Sequence, residues 1–282
     1  MPSTLPWWRA RTDRRYACLL LTVLPAVIWQ AWRLDQGLFA RAMMVSVLAL
    51  AVAGLLHVLT KPRPSAPAPN VLLPPAPGWA VRSLDALLQA LLVSALWSTG
   101  LPLWPLLIGL GLALVVQQAL GGWAVNPFSP ALLAIAIAIV LARTLSATDF
   151  NPPLNSLLDT LPVAAGWLLM GLVVVALRLW PARASLTFLL VLVPVLMVEA
   201  LASINFVTTA ILATFVMANT RTLPSTAQGQ YLIGGLAGLA VAALWLNGAP
   251  PLAAVFPLLL VQALSPWVEH LSLRPARTPD AP

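Results

Sequence analysis

Apolar runs punctuated by proline, glycine and arginine fill most of the chain, and their spacing predicts ten membrane-crossing segments. They fall at residues 16–32, 39–59, 84–97, 102–120, 131–142, 161–177, 184–198, 206–218, 231–246 and 251–268. A hydrocarbon core of about 30 Å takes about twenty helical residues. Runs 84–97 and 206–218 are therefore short, and 131–142, twelve residues and about 18 Å of helix, is half-length,. That last run follows a compact turn, Asn126-Pro127-Phe128-Ser129-Pro130, itself preceded by Gly121 and Gly122. A turn inside the bilayer makes this a broken helix whose amino-terminal NH groups point into the protein. Irregular backbone at that depth survives only where protein or a watery cavity covers it, and in transporters such interrupted segments mark the binding site. A cytoplasmic loop followed by a short helix is the plainer reading of the same spacing.

Between these runs the chain is polar or proline-rich. Residues 1–15 form a polar amino-terminus, and seven prolines between Lys61 and Gly78 make a linker (61–78) that cannot continue a helix,. Residues 143–160 read as an outer loop and 269–282 as a tail. The domain organisation expected is a first half at 16–142 and a second at 161–268. Each half holds five helices, an odd number, so the two lie in opposite orientation. Short third and eighth runs hold the same place in their halves, as expected of inverted repeats with a site at their interface.

Composition narrows the class. With 60% hydrophobic and 8% charged residues and a mean hydropathy of +0.92, the chain is far from the about 25% charged residues of soluble domains. The net charge of +7 does not indicate a nucleic-acid partner, because the arginines sit singly at helix ends,. Their distribution sets the orientation instead. With the amino-terminus inside, only Arg33, Arg41 and Arg143 of the 15 lysines and arginines fall outside, so both termini are expected in the cytoplasm. Four arginines precede the first run and no small-residue cleavage site follows it, so it reads as a retained helix rather than a leader. Tryptophans such as Trp32, Trp79, Trp97, Trp104 and Trp267 fall at run ends, as interface anchors do,. One cysteine, Cys18, allows neither an intramolecular disulfide nor a cysteine-ligated cluster, and His57 and His270 stand far apart,. No metal site is expected.

Three patches carry a family likeness. GGWAVNPFSPALLA resembles the "GG-x-G-x-NPF-N-PA" signature of the RnfD/NqrB family, with Asn126, Pro127, Phe128, Pro130 and Ala131 in place, Ser129 for the usual Asn and Ala124 for a common glycine. FVMANTRTLPSTAQGQYLIGGLAG resembles the family's "F-x-x-TDPVT-x-PTT-x-RG-x" element through Thr222, Pro224, Thr226 and Gly229. Asn219 stands where that element has an aspartate and Thr220 where it has a proline. SLDALLQALLVSAL is similar to the family's "GSALLTALLLAL" helix. Together these cover residues 80–142 and 206–268. The resemblance implies an all-α polytopic membrane protein of about ten helices in two inverted five-helix halves, with a fold similar to that of urea channels.

The same resemblance implies a divergent membrane subunit of an ion-translocating electron-transport complex in a bacterial inner membrane. Such a subunit holds a flavin and passes electrons between integral-membrane and peripheral partners, a part of an oxidoreductase rather than an autonomous enzyme. The family carries flavin mononucleotide on a threonine in an "S-G-A-T"-like motif. Here Leu145-Ser146-Ala147-Thr148 is the candidate, with Thr148 as attachment point and Ser146 beside it; Leu145 departs from the motif. An ordinary polar turn accounts for the same residues. Asn126, Phe128, Asn219, Thr222 and Thr226 complete the cofactor-binding candidates. Asp85 is the candidate ion relay, since intramembrane carboxylates mark ion pathways; a local ion pair with Arg82 and a helix cap are its simpler readings. The rival function is a small-solute channel or transporter without a redox cofactor. No catalytic triad or phosphate-binding glycine loop is present, so chemistry here requires a bound group.

Overall fold

The structure, a computed structural model, describes residues 5–60, 78–97, 101–120, 128–146, 157–198, 206–217 and 222–272. These are helices joined by turns: α1 (Leu5–Arg33), α2 (Leu38–Leu59), α3 (Trp79–Leu96), α4 (Leu103–Ala119), α5 (Pro130–Ser146), α6 (Leu157–Ala176), α7 (Arg183–Val198), α8 (Phe206–Ile211, continued as a π-helical stretch Leu212–Val216), α9 (Ala227–Leu246), a 3-10 turn (Pro251–Ala254), α10 (Val255–Ala263) and α11 (Ser265–Ser272). Six stretches are long and apolar enough to cross a membrane, α10 and α11 counting with their 3-10 turn as one. Four shorter apolar helices, in α4, α5, α7 and α8, accompany them. The chain is an all-α, multi-pass membrane protein.

Burial separates the spans by position. The apolar window of α3 is 61% buried and that of α2 only 22%, so α3 runs through the middle of the bundle and α2 along its rim. Large apolar side chains such as Leu21, Met43, Val47 and Leu190 face outward, which is the arrangement lipid requires. Inside, Trp97, Trp167, Phe188 and Phe215 are fully buried. Phe215, in the π-helical stretch, meets the rings of Trp167 and Trp180 edge-on at 5.4 and 5.9 Å.

Packing among α1–α5 has its counterpart among α6–α10. α1 lies on α3 as α6 lies on α8, α2 on α4 as α7 on α9, and α4 on α5 as α9 on α10. The two sets meet where α1 touches α6, α3 touches α8 and α5 touches α10. Missing side chains set the closest approaches. A Cβ on Gly109 of α4 would lie 2.3 Å from Ala134 O of α5, and one on Gly234 of α9 would lie 2.3 Å from Ala184 O of α7. Side-chain amides tie the centre: Gln30 Nε2 on α1 donates to Ala95 O at 2.8 Å while its Oε1 accepts from Trp167 Nε1 of α6 at 2.9 Å.

Several helices differ from the pattern reading: α1 begins at Leu5, within the expected polar terminus, and α6 at Leu157, within the expected 143–160 loop. The third begins at Trp79 rather than residue 84 and is 18 residues long, because Arg82 and Asp85 are accommodated within the helix instead of ending it. The fourth, expected to be full length, has 17 residues, about 25 Å at helical rise. The fifth runs past Ala142 to Ser146 and also reaches 17 residues, since Thr144 returns its hydroxyl to Val140 O and stays helical. The tenth breaks at Leu264, one residue past α10, and resumes as α11 with Pro266 in its first turn, the position where proline's missing NH costs nothing.

Candidate site at the buried start of α5

Pro130 opens α5, where its fixed φ suits a helix and its lack of an NH is harmless. Two NH groups at that end still need partners where lipid and protein surround them. Ser129, 2% exposed, donates its NH to Gln262 Oε1 at 2.9 Å. Ala131 donates to Gln89 Oε1 at 3.2 Å. Both glutamines come from other helices, α10 and α3, and both are buried.

Their positions fix the depth of the turn. Gln89 is about 15 Å along α3, and Gln262 lies near the middle of the span Pro251–Ser272,. The Phe128–Pro130 turn therefore meets two candidate spans at mid-length. The backbone is satisfied at that depth by side-chain carbonyls, as hydrocarbon requires. The same oxygens meet the positive end of the α5 dipole.

Behind the amides lies Asp85, 4% exposed in α3. Gln89 Nε2 approaches Asp85 Oδ1 at 3.4 Å, and Gln117 Nε2 of α4 approaches Oδ2 at 3.4 Å. The carboxylate thus reaches the α5 amino-terminus through one amide: Asp85 to Gln89, Gln89 to Ala131. It also lines a cleft between α2, α3 and α4 with Arg82, Gln117, Gln118, Ala53 and Leu56. This network adds to the helix-cap and local ion-pair readings of the carboxylate. Asp85 sits in the second turn of α3, and Arg82 extends the other way to Thr60 Oγ1 at 2.7 Å.

The remaining candidates gather elsewhere. Thr222 is buried, 2% exposed, in the segment leading to α9. Thr226 caps α9, accepting from Gly229 NH at 3.1 Å and sharing a 2.6 Å hydroxyl contact with Ser272 of α11. Its hydroxyl is thereby engaged in holding α11 against the start of α9. Phe128 is half-buried beside the amide cluster, whereas Ser146 closes α5 about 24 Å away along the helix axis,. The cofactor candidates at the two ends of α5 are therefore not one pocket. Asn126, Thr148 and Asn219 lie outside the described residues.

Pattern reading missed Gln89, Gln117 and Gln262. The available signal was a lone amide inside an apolar run, since each such group has to find a partner when lipid surrounds the helix. Among the described residues no group of three metal-ligating side chains occurs.

The RnfD component of the ion-translocating oxidoreductase complex from Salmonella arizonae is 25% identical over 158 residues, 54% of this chain and 41% of that protein. Its Erwinia tasmaniensis counterpart is 28% identical over 149 residues, 52% of this chain and 38% of that protein. The Escherichia coli O1:K1 protein of the same name is 25% identical over 144 residues, 51% of this chain and 37% of its own length. The chain spans about two fifths of the length of these relatives. A family model matches residues 1–165, more than half the chain and including the broken helix with its Asp85 network, and on that match the chain belongs to the NQR2, RnfD, RnfE family.

Proposed function

We propose that this chain is a membrane subunit of an ion-translocating electron-transport complex of the Rnf/Nqr kind. It lies in a bacterial inner membrane with both termini cytoplasmic, and it holds a flavin and relays electrons between partner subunits. The observation that carries the reading is the buried Asp85 carboxylate wired by Gln89 to a helix that begins part-way through the bilayer. Ionisable groups at such depth are costly and belong to ion pathways. The paired packing of α1–α5 and α6–α10 supports an inverted repeat, with the broken helix near the line where the two sets meet,.

Flavin mononucleotide joined to Thr148 would supply one- and two-electron chemistry. Arg143, in the last turn of α5, precedes Thr148 by five residues in sequence. A helix carboxyl-terminus repels anions, and the last turn of α5 offsets this with the exposed guanidinium-bearing Arg143,. Arg143 would hold the phosphate, and Thr144, whose hydroxyl already donates to Val140 O at 2.8 Å, would not.

Denaturing gels test the flavin directly. A band fluorescent under ultraviolet light that survives denaturation, and disappears in Thr148→Ala, is the expected result. No band in the wild type, together with solute flux in proteoliposomes, would instead make the Asp85 cleft the path of a small-solute channel.

Asp85→Asn tests the relay independently. Its side-chain oxygen still accepts one amide NH while the charge is gone. Redox-driven ion uptake by the reconstituted complex is expected to fall by about a hundredfold, with the flavin band intact and a thermal midpoint lowered by no more than the loss of one buried hydrogen bond. Unchanged uptake would remove Asp85 from the pathway.

A further inference from the structure

The junction where α2 ends and α3 begins holds two polar groups that the α5 site does not use. Arg82, in the first turns of α3, reaches back along the helix so that Nη1 donates to Thr60 Oγ1 at 2.7 Å, as arginines near a membrane surface do. The other edge of its guanidinium is different: Nε is buried and, among the described residues, has no partner. One turn before Thr60, His57 Nδ1 is likewise buried and, among the described residues, unpartnered. The His57 ring lies 5.8 Å from that of Trp79, which is 44% exposed. His57 and Thr60 share one face of α2, and Trp79 and Arg82 one face of α3, so all four meet along a single seam.

Charge along this seam has one sign. Arg82 is its charged group, and the first turn of α3 carries no acidic residue. Asp85 is the carboxylate lining the adjoining cleft, and its position a turn deeper keeps an anion at the mouth rather than the floor. The Nε of Arg82 is buried and has no acceptor among the described residues, a donor that a partner arriving from outside would satisfy. The free edge of a guanidinium matches two oxygens of a phosphate side by side.

We propose that this junction binds a phosphate group, carried by a phospholipid head, through the Nε edge of Arg82. His57, in the tautomer that carries its proton on Nδ1, supplies the second donor, and Trp79 sits at the interface beside it. The site is separate from the flavin; Arg82 also lines the cleft that Asp85 lines, and the phosphate reading stands whether or not Asp85 relays ions.

The test uses the full chain purified in detergent, with native mass spectrometry counting retained phosphatidylglycerol against phosphatidylcholine. Retained phosphatidylglycerol is expected to fall about fivefold in Arg82→Gln and less in Arg82→Lys, which keeps the charge but loses the planar edge. Arg183→Gln, at the start of α7, should change nothing. In lipid-depleted micelles, inorganic phosphate that raises the thermal midpoint of the wild type but not of Arg82→Gln would identify free phosphate as the source of the group. Equal phosphatidylglycerol retention by wild type and Arg82→Gln, with no phosphate-dependent shift, overturns the site. Should Arg82→Gln fail to fold, His57→Ala and Arg82→Lys carry the test, and wild-type retention in both overturns it equally.

Discussion

Gly234→Leu is expected to prevent α7 and α9 from closing on each other, and to cost more folded protein than any cap or surface substitution. A Cβ at Gly234 would stand 2.3 Å from Ala184 O, 2.9 Å from Ala184 C and 2.9 Å from Ala184 Cα. All three atoms are backbone, so no side chain can swing aside; one helix has to move. One turn on, a Cβ at Gly238 would meet Val191 Cβ at 2.9 Å and Phe188 O at 3.0 Å. The crossing is thus held close over two turns by glycine at i and i+4, the device that lets helices pack where lipid offers no hydrophobic drive to associate. Overpacking a tight core costs about 1–3 kcal/mol and sometimes more. For a crossing against backbone the upper end applies. The expected result is a collapse in monodisperse yield on size exclusion, or a sharply lower thermal midpoint in whatever is recovered. Gly235→Leu is the control. A Cβ there meets nothing within 4 Å, so the variant should stay within about 0.5 kcal/mol of wild type. Equal damage from both would show that helix propensity or insertion, rather than the α7–α9 contact, is at fault.

The elements of this fold that lipid dictates were legible in the chain itself. A span has to be apolar for its whole length, so the run at 39–59 and the helix Leu38–Leu59 coincide almost to the residue. The short eighth helix and the proline that opens the fifth were also readable, because a turn rich in proline and asparagine cannot hide inside an apolar window. What escaped was whatever depends on partners distant in sequence. The start of α3 was misplaced because Arg82 looks like a boundary until its side chain is seen to reach Thr60, 22 residues earlier. The α5 cap escaped because Gln262 and Ser129 are 133 residues apart and Gln89 and Ala131 are 42 apart. Asp85 stood out as a carboxylate in a span, but only the fold shows that two amides approach its oxygens while Arg82 turns away. The TLPST element is a further case. Its match to a family motif points to a ligand; in the fold Thr226 also closes a helix end, and Gly229 is required there because a Cβ would lie 2.6 Å from Pro224 Cβ. Motif residues that shape the backbone and motif residues that touch a ligand look the same in a sequence.

The amides that cap α5 should therefore behave as structural members of the site, and Gln262 gives the cleaner test. Gln262→Leu keeps most of the volume and removes the acceptor, leaving the Ser129 NH buried without a partner. That loss costs about 1–3 kcal/mol, read as a lowered thermal midpoint in detergent or nanodiscs. Gln262→Glu keeps an oxygen for the same NH, next to the positive end of a helix, and also removes the Nε2 donor that is buried without a partner among the described residues. It should lie between wild type and Gln262→Leu. Gln89→Leu acts on two neighbours at once, because Gln89 both accepts from Ala131 and donates toward Asp85; its cost should exceed that of Gln262→Leu. The double variant then asks whether the two caps act together. They bind NH groups two residues apart on one helix start, so a coupling of about 0.5–3 kcal/mol is expected. Strict additivity would mean that each glutamine merely fills space in its own helix. In that case the α5 terminus would draw its stability from elsewhere, and the route from Asp85 to the broken helix would lose its physical basis.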